Sequence, residues 1–453
     1  MQIGLPRCRA TLSICGNLMK RSFTSRLFSS ISLSVLFAAG IMPLPAQDKP
    51  APSKLEIPAT DEGLPGAGPI RRMDWFKNLW NQKRNAWAKR VEQDQASVVF
   101  LGDSITQGWG DDLGGSFPGM KVANRGISGD TTRGMLIRLQ EDVLSLKPTA
   151  VVMLMGTNDL EEKAEPVTIA ENLKLIIAAL KAHNAKMPIV LCQVFPSSAT
   201  KSRPAEKIRE INSLYAAAVK GDPQITLIDT WSLFANPQGD AKPEEFPDVL
   251  HPNKLGYDKW AAALRPIFST LGFLENEPDT FALEPGFVSL TNGKDLSGWC
   301  YRTKDAMKIK ESFDGKTITS ENRYVAKQGR IIVSTPPEGR KIAQLWTKQE
   351  FGKNFTLKLE FRATPNADSG VFLRKPQLQC RDYLLAGPYK ELTKYKPQDW
   401  NEMIVVVKDN IAHCTCNGEV LESALALPPS GPIGLEGDAG QMEYRRIRIK
   451  EEP

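Results

Sequence analysis

Histidine is scarce in this sequence: His183, His251 and His413 are the only three in 453 residues. They are scattered, and no Cys-x-x-Cys pair accompanies them, so neither a metal site nor another cofactor is expected. Cysteine is also thin, with seven in the chain. An excess of one charge is missing too. Five of the six units of the +6 net charge arise from residues 1–46, which hold Arg7, Arg9, Lys20, Arg21 and Arg26 and no acid. Without them, 53 basic side chains face 52 acidic ones, and no nucleic-acid partner is expected. Apolar runs long enough for a signal or an anchor are confined to residues 27–46. This run follows Lys20, Arg21 and Arg26 and ends in small residues and prolines, the layout of a secretory signal.

Met19 makes the more typical start for that signal, and cleavage is expected after Ala46. The alternative is a permanent anchor, but the serine-interrupted run is near the lower limit for a membrane span. No cysteine follows it to carry a lipid. A periplasmic or extracellular protein without stable membrane insertion is therefore expected. Cys8 and Cys15 leave with the signal. The remaining Cys192, Cys300, Cys380, Cys414 and Cys416 are odd in number, which implies a free thiol or an intermolecular pair.

Residues 47–70 carry Pro50, Pro52, Pro58, Pro65 and Pro69 among small and charged residues, the composition of a semi-extended spacer rather than a packed element. Over 74–91, Phe76, Trp80, Trp87 and Val91 recur at helical spacing. Strand-like runs at 98–101, 121–127, 150–155, 189–194 and 225–229 then alternate with helical patterns at 131–144, 167–182, 205–219 and 255–271. Such alternation predicts an α/β, doubly wound, five-stranded parallel sheet over 71–274. Residues 275–285 are acidic and turn-rich and read as a linker. From 286 to 453 short alternating runs (330–333, 355–362, 370–373, 402–407, 412–416 and 445–450) are separated by turn signals, which predicts an all-β sandwich.

The chemistry is concentrated at four strand ends. A buried strand ending in Gly102-Asp103-Ser104 presents a hydroxyl at the start of a helix, at the sheet edge where such folds bind ligands. A serine hydroxyl needs a base. His183 lies at the polar end of a helix and reads as solvated; His413 falls in the β region. His251 lies on a loop, before Pro252, and Asp248 three residues earlier can accept its Nδ1–H, leaving Nε2 as the base. Gly129, in Gly-Ile-Ser-Gly-Asp after the second strand, opens backbone approach, and Asn158, in Gly-Thr-Asn-Asp after the third, offers an amide. With the Ser104 N–H they make a three-donor hole for an oxyanion.

Phe-Leu-Gly-Asp-Ser at 100–104, Asn-Arg-Gly-Ile-Ser-Gly-Asp-Thr-Thr at 124–132, Gly-Thr-Asn-Asp at 156–159 and Asp-Val-Leu-His at 248–251 resemble the four blocks of the SGNH (GDSL-type) hydrolases, in that family's order. The nearest branches are the platelet-activating-factor acetylhydrolase-like and carbohydrate-esterase ones. The resemblance covers about residues 75–273 and implies a flavodoxin-like fold. It also implies Ser104 as nucleophile, Asp248 and His251 completing a triad, an oxyanion hole from Ser104, Gly129 and Asn158, and Asp103 and Asp159 in support. Residues 286–299, 368–374 (Asp-Ser-Gly-Val-Phe-Leu-Arg) and 399–402 (Asp-Trp-Asn-Glu) resemble the 3-keto-disaccharide hydrolases, which implies a concanavalin-like jelly roll. The segment between Arg374 and Trp400 is short and lacks histidine, unlike many members, so a sugar-binding or substrate-presenting module is expected there.

The expectation is an exported serine esterase that removes short acyl groups, most simply acetyl, from a saccharide or another small ester. Trp109 and Trp231 are candidate stacking faces for a pyranose. A lysophospholipid esterase and a bifunctional glycan-processing protein, whose sandwich acts on 3-keto-glycosides, are the alternatives.

Overall fold

The computed structural model describes residues 55–274, 280–305, 307–334 and 343–452. The signal-like segment with its start and cleavage sites, Cys8, Cys15, the beginning of the 47–70 stretch and part of the 275–285 linker lie outside these residues.

Helix α1 (Asp74–Ala88) buries Phe76, Trp80 and Trp87, as the spacing predicts, together with Arg84; it ends before Val91, which lies in the following turn. Five strands follow: β1 (Val98–Gly102), β2 (Val122–Gly126), β3 (Ala150–Met153), β4 (Ile189–Cys192) and β5 (Ile225–Ile228). All pair in parallel, in the order β2-β1-β3-β4-β5. From β1 the chain steps to β2 on one side and then to β3 on the other, so the order reverses at the carboxyl end of β1, where doubly wound sheets hold ligands. The connecting helices are α2 (Ser104–Gly108), α3 (Thr132–Ile137), α4 (Leu139–Asp142), α5 (Thr157–Glu161), α6 (Pro166–His183), α7 (Ala205–Val219), α8 (Thr230–Phe234) and α9 (Lys254–Leu271). Apolar side chains cover both sheet faces, Val99, Leu101, Val151 and Met153 on one and Val98, Phe100, Val152 and Leu154 on the other.

Two expectations are corrected here. The single helix predicted over 131–144 is broken at Arg138, whose φ of −98° and ψ of 0° are not helical. Its fully buried guanidinium turns inward to the carbonyls of Gly102 and Arg125 and to Asp130, at 3.2, 2.8 and 2.7 Å. Residues 55–70 form no helix or strand, yet they are packed. Arg133 reaches Asp61 and the carbonyls of Pro65 and Gly68, Asn172 bonds both the N–H and the carbonyl of Ala67, and Thr131 bonds the carbonyl of Pro69. Gly63, Gly66 and Gly68 take left-handed φ values of 73°, 72° and 88°, so the segment turns between its prolines, and side chains of the later fold bond it in place.

Beyond residue 285 two antiparallel sheets enclose one core. The eight-stranded sheet is centred on Phe355–Ala363, paired with Asn401–Lys408 and Met442–Glu451. Phe355, Leu357, Leu359 and Phe361 alternate inward, as the sequence pattern requires. All six predicted runs are strands. Short strands such as Trp299–Arg302, Leu345–Thr347 and Ile433–Leu435 add to them. The eight-stranded sheet also meets α9. Glu443, wholly buried, accepts bonds from Thr270, Arg330 and Arg362, and Arg330 reaches Ser269. Cys192, Cys300, Cys380, Cys414 and Cys416 are all buried and unpaired with one another. Among the described residues no helix is long and apolar enough to cross a membrane.

Candidate active site

Every residue of β1 is buried, and the strand ends directly at α2. Asp103 caps that helix, its Oδ1 accepting the Ile105 N–H at 2.9 Å, so the half-buried Ser104 occupies the first helical position. The end of β2 presses on the same turn. A Cβ on Gly126 would stand 2.3 Å from the backbone nitrogen of Gln107, a clash with main chain that only glycine avoids. The Gln107 side chain then accepts the Ser128 N–H at 2.9 Å, which brings the following loop beside α2.

His251 reaches this point from the loop that leads into α9. The Asp248 Oδ1 accepts the N–H groups of Leu250 and His251 at 3.1 and 2.7 Å, closing a turn in which Val249 has a φ of 56°. The Asp248 Oδ2 lies 2.8 Å from His251 Nδ1, and His251 Nε2 lies 3.0 Å from the Ser104 Oγ. One helical turn into α9, the Tyr257 hydroxyl bonds the Ile105 carbonyl at 2.9 Å and fastens the two helices together. The His251 and Asp248 side chains are 45% and 44% exposed, so the relay opens to solvent. Burial raises the Asp248 carboxyl, but the backbone N–H and ring of His251 and the Leu250 N–H more than offset this and hold it down at about 2. Asp248 is thus an anion at neutral pH and an acceptor for the Nδ1 proton.

The expected oxyanion donors are held together by polar bonds. Asn158 donates from Nδ2 to the carbonyl of Asp130, the residue after Gly129, at 3.0 Å. Its Oδ1 accepts from Arg203 Nη2 at 3.0 Å, which fixes which way the amide points. Asp159 accepts both the N–H and the hydroxyl of Thr132 and so ties α5 to α3. Gly129 has a φ of +86°, in the left-handed region. Arg203 carried no signal in the sequence, because an arginine just before a helix reads as a solvated end. It is buried and also bonds Thr157 and Glu161.

Asp103 and Asp159 lie wholly inside, and burial raises each to about 6 against opposing hydrogen bonds. For Asp103 the unfolded value is about 3.9. Protonation therefore favours the folded chain: the benefit is complete below the unfolded value and is lost as pH rises through about 6, a cost of about 3 kcal/mol at high pH. Asp103→Asn keeps an oxygen for the Ile105 N–H and removes the titration. Its melting temperature relative to wild type is expected to be higher at about pH 8 than at about pH 5. Thermal unfolding at both pH values measures this, and a difference that ignores pH contradicts it.

Of the two tryptophans expected as stacking faces, Trp109 is 5% exposed and packs on Trp260 at 4.4 Å and Tyr257 at 5.4 Å, so it is a core residue. The hydrophobic position after α2 is filled from α9, which leaves no face for a sugar. Trp231 is half-buried, with the Arg209 guanidinium 5.7 Å from its ring. Among the described residues no group of three or more His, Cys, Asp or Glu is placed to hold a metal. His183 ends α6, and His413 lies in the strand Ile411–Cys416.

Residues 100–259 match the family model of the GDSL-like lipase/acylhydrolases, and residues 286–450 match that of the 3-keto-alpha-glucoside-1,2-lyase-like domain. The chain carries a GDSL-like acylhydrolase domain followed by a 3-keto-alpha-glucoside-1,2-lyase-like domain. It is similar to human platelet-activating factor acetylhydrolase IB subunit alpha1, 27% identical over 213 residues, 46% of this chain and 90% of that protein. The bovine alpha2 subunit is 27% identical over 207 residues, 44% of this chain and 87% of the relative. Among solved structures, a GDSL-like lipase of Bacteroides thetaiotaomicron is 26% identical, covering 43% of this chain and 97% of its own, with a TM-score of 0.37. The GDSL-like domain makes this chain a hydrolase that acts on esters.

Proposed function

We propose that the protein is a serine esterase in which Ser104, His251 and Asp248 form the catalytic triad, and that it removes short acyl groups, acetyl first among them, from saccharides. The observation that carries the reaction is the position of His251, 3.0 Å from Ser104 Oγ and 2.8 Å from Asp248 Oδ2. Ser104 attacks the ester carbonyl while His251 Nε2 takes its proton. The oxyanion is met by the N–H groups of Ser104 and Gly129 and the amide of Asn158. Collapse expels the alcohol, which takes the proton back from His251, and water activated by the same ring hydrolyses the acyl-enzyme.

Acetyl is favoured because the relatives named above are acetylhydrolases. A saccharide is favoured because the second domain resembles one acting on 3-keto-glucosides. In this reading residues 71–274 hydrolyse, residues 286–453 bind or present the sugar, and the apolar segment before residue 47 exports the chain. Initial rates of the full chain on acetyl, butyryl and long-chain p-nitrophenyl esters and on acetylated xylan or pectin oligosaccharides test it. A kcat/KM that falls with chain length and is high on acetylated oligosaccharides is expected; faster cleavage of long-chain esters contradicts the saccharide reading.

The oxyanion assignment has its own test. Asn158→Ala is expected to lower kcat on p-nitrophenyl acetate by roughly 100-fold or more with little change in KM, because the amide acts on charge that develops only in the transition state. Steady-state kinetics measure it, and an unchanged kcat removes Asn158 from the hole.

A further inference from the structure

Helix α1 uses one aromatic face for the core, but its second residue points elsewhere. Trp75 is 49% exposed, beside a Phe76 that is 1% exposed. A single exposed tryptophan is ordinary on a protein surface. This one is distinguished by what lies beneath it. A Cβ on Gly129 would stand 2.7 Å from Trp75 Cη2 and 2.9 Å from Arg71 Nη1, so the indole edge and the guanidinium both rest directly on the glycine of the oxyanion loop. The Arg71 guanidinium lies 6.0 Å from the Trp75 ring and is anchored by Glu162 at 2.6 Å and by Glu161. Glu161 in turn accepts from Arg203, the residue that orients Asn158.

We propose that Trp75 and Arg71 form a subsite for the part of the substrate beyond the ester group, and that this part is a pyranose ring. The inference rests on the reading of Gly129 as a lining residue of the ester-hydrolysing site. An indole offers a flat apolar face that matches the C–H face of a sugar ring, and the buried Arg71 guanidinium, held by Glu161 and Glu162, fixes the floor beside it. The setting suits a sugar better than an acyl chain: the Arg71 guanidinium, paired with Glu161 and Glu162, is the neighbour of the indole where a lipid would need a continuous apolar channel. Both residues precede the matched segment 100–259, so the subsite comes from the flank of the acylhydrolase domain. Gly129 then has two duties, a left-handed backbone and a surface low enough for the ring above it.

Two measurements on the full-length protein test this. Calorimetry follows binding of a panel of neutral and uronic-acid trisaccharides to wild type, Trp75→Ala and Trp75→Phe. Kinetics compare kcat/KM for their acetylated forms with that for ethyl acetate, an ester without a ring. Trp75→Ala is expected to weaken trisaccharide binding by about ten-fold and to lower the ratio of the two kcat/KM values by a similar factor, with Trp75→Phe recovering most of both. Failure of every trisaccharide to bind wild type, affinity unchanged in Trp75→Ala, or an equal loss on both esters overturns the subsite. Trisaccharide binding that depends on Trp75 in a protein that cleaves no ester keeps the subsite and removes the hydrolase reading.

Discussion

Ser104→Ala is expected to lower kcat/KM on p-nitrophenyl acetate by roughly 10,000-fold or more while leaving the thermal unfolding midpoint close to wild type. The loss is large because in the proposed mechanism the serine supplies the bond-forming atom, and nothing else described at the end of β1 replaces it. Stability is spared because Ser104 is half-buried and the cap of α2 is made by Asp103, not by the serine. His251→Ala is expected to fall to about the same level, and the double variant no further, since the two side chains act as one unit. Initial rates on the purified variants measure all three. Retention of a large share of wild-type activity by Ser104→Ala would place the chemistry elsewhere.

Asp248→Asn is expected to lower kcat by roughly 1,000-fold, less than loss of the serine. Its amide oxygen still accepts the N–H groups that Asp248 Oδ1 accepts from Leu250 and His251, so the turn survives. The other arm then presents an N–H to His251 Nδ1, which favours the tautomer with the proton on Nε2, where it cannot take one from Ser104. The 44% exposure of Asp248 moderates the effect, because water partly replaces the lost carboxylate. Because its carboxyl is held at about 2, Asp248 contributes no limb to the pH–rate profile above about pH 4. The pH–rate profile of wild type and the kcat of the variant at its optimum measure both points. A kcat within a few-fold of wild type contradicts the role.

Much of this site is legible in the sequence because its parts are local. A serine after an apolar strand, an Asp three residues before a His, and glycine-rich turns at successive strand ends each need only a few neighbours to be read. The structure brings Ser104, His251 and Asp248 within hydrogen-bond distance and sets Asn158 beside the residue after Gly129. What stays hidden depends on distant partners. Trp109 closely follows the Gly-Asp-Ser motif and Trp75 precedes every motif, yet the packing of α9 against α2 consigns Trp109 to the core while the fold sets Trp75 against Gly129. Arg138 interrupts a well-formed helical pattern because three buried acceptors from other segments draw it inward. Residues 55–70 have the composition of a spacer, and the side chains that hold them, Arg133 and Asn172, come from more than 60 residues away. Periodicity records which face of an element is apolar; it carries nothing about a polar bond made across the fold.

The central claim is that Ser104 is the acyl-transfer nucleophile, and covalent trapping tests it most directly. The protein is treated with an organophosphate that phosphorylates activated serines, residual activity is followed, and the modified peptide is identified by mass spectrometry. Stoichiometric labelling of Ser104, in step with loss of esterase activity and absent from His251→Ala, is the predicted result. Inactivation with the label on another residue, or full activity with Ser104 labelled, would contradict it.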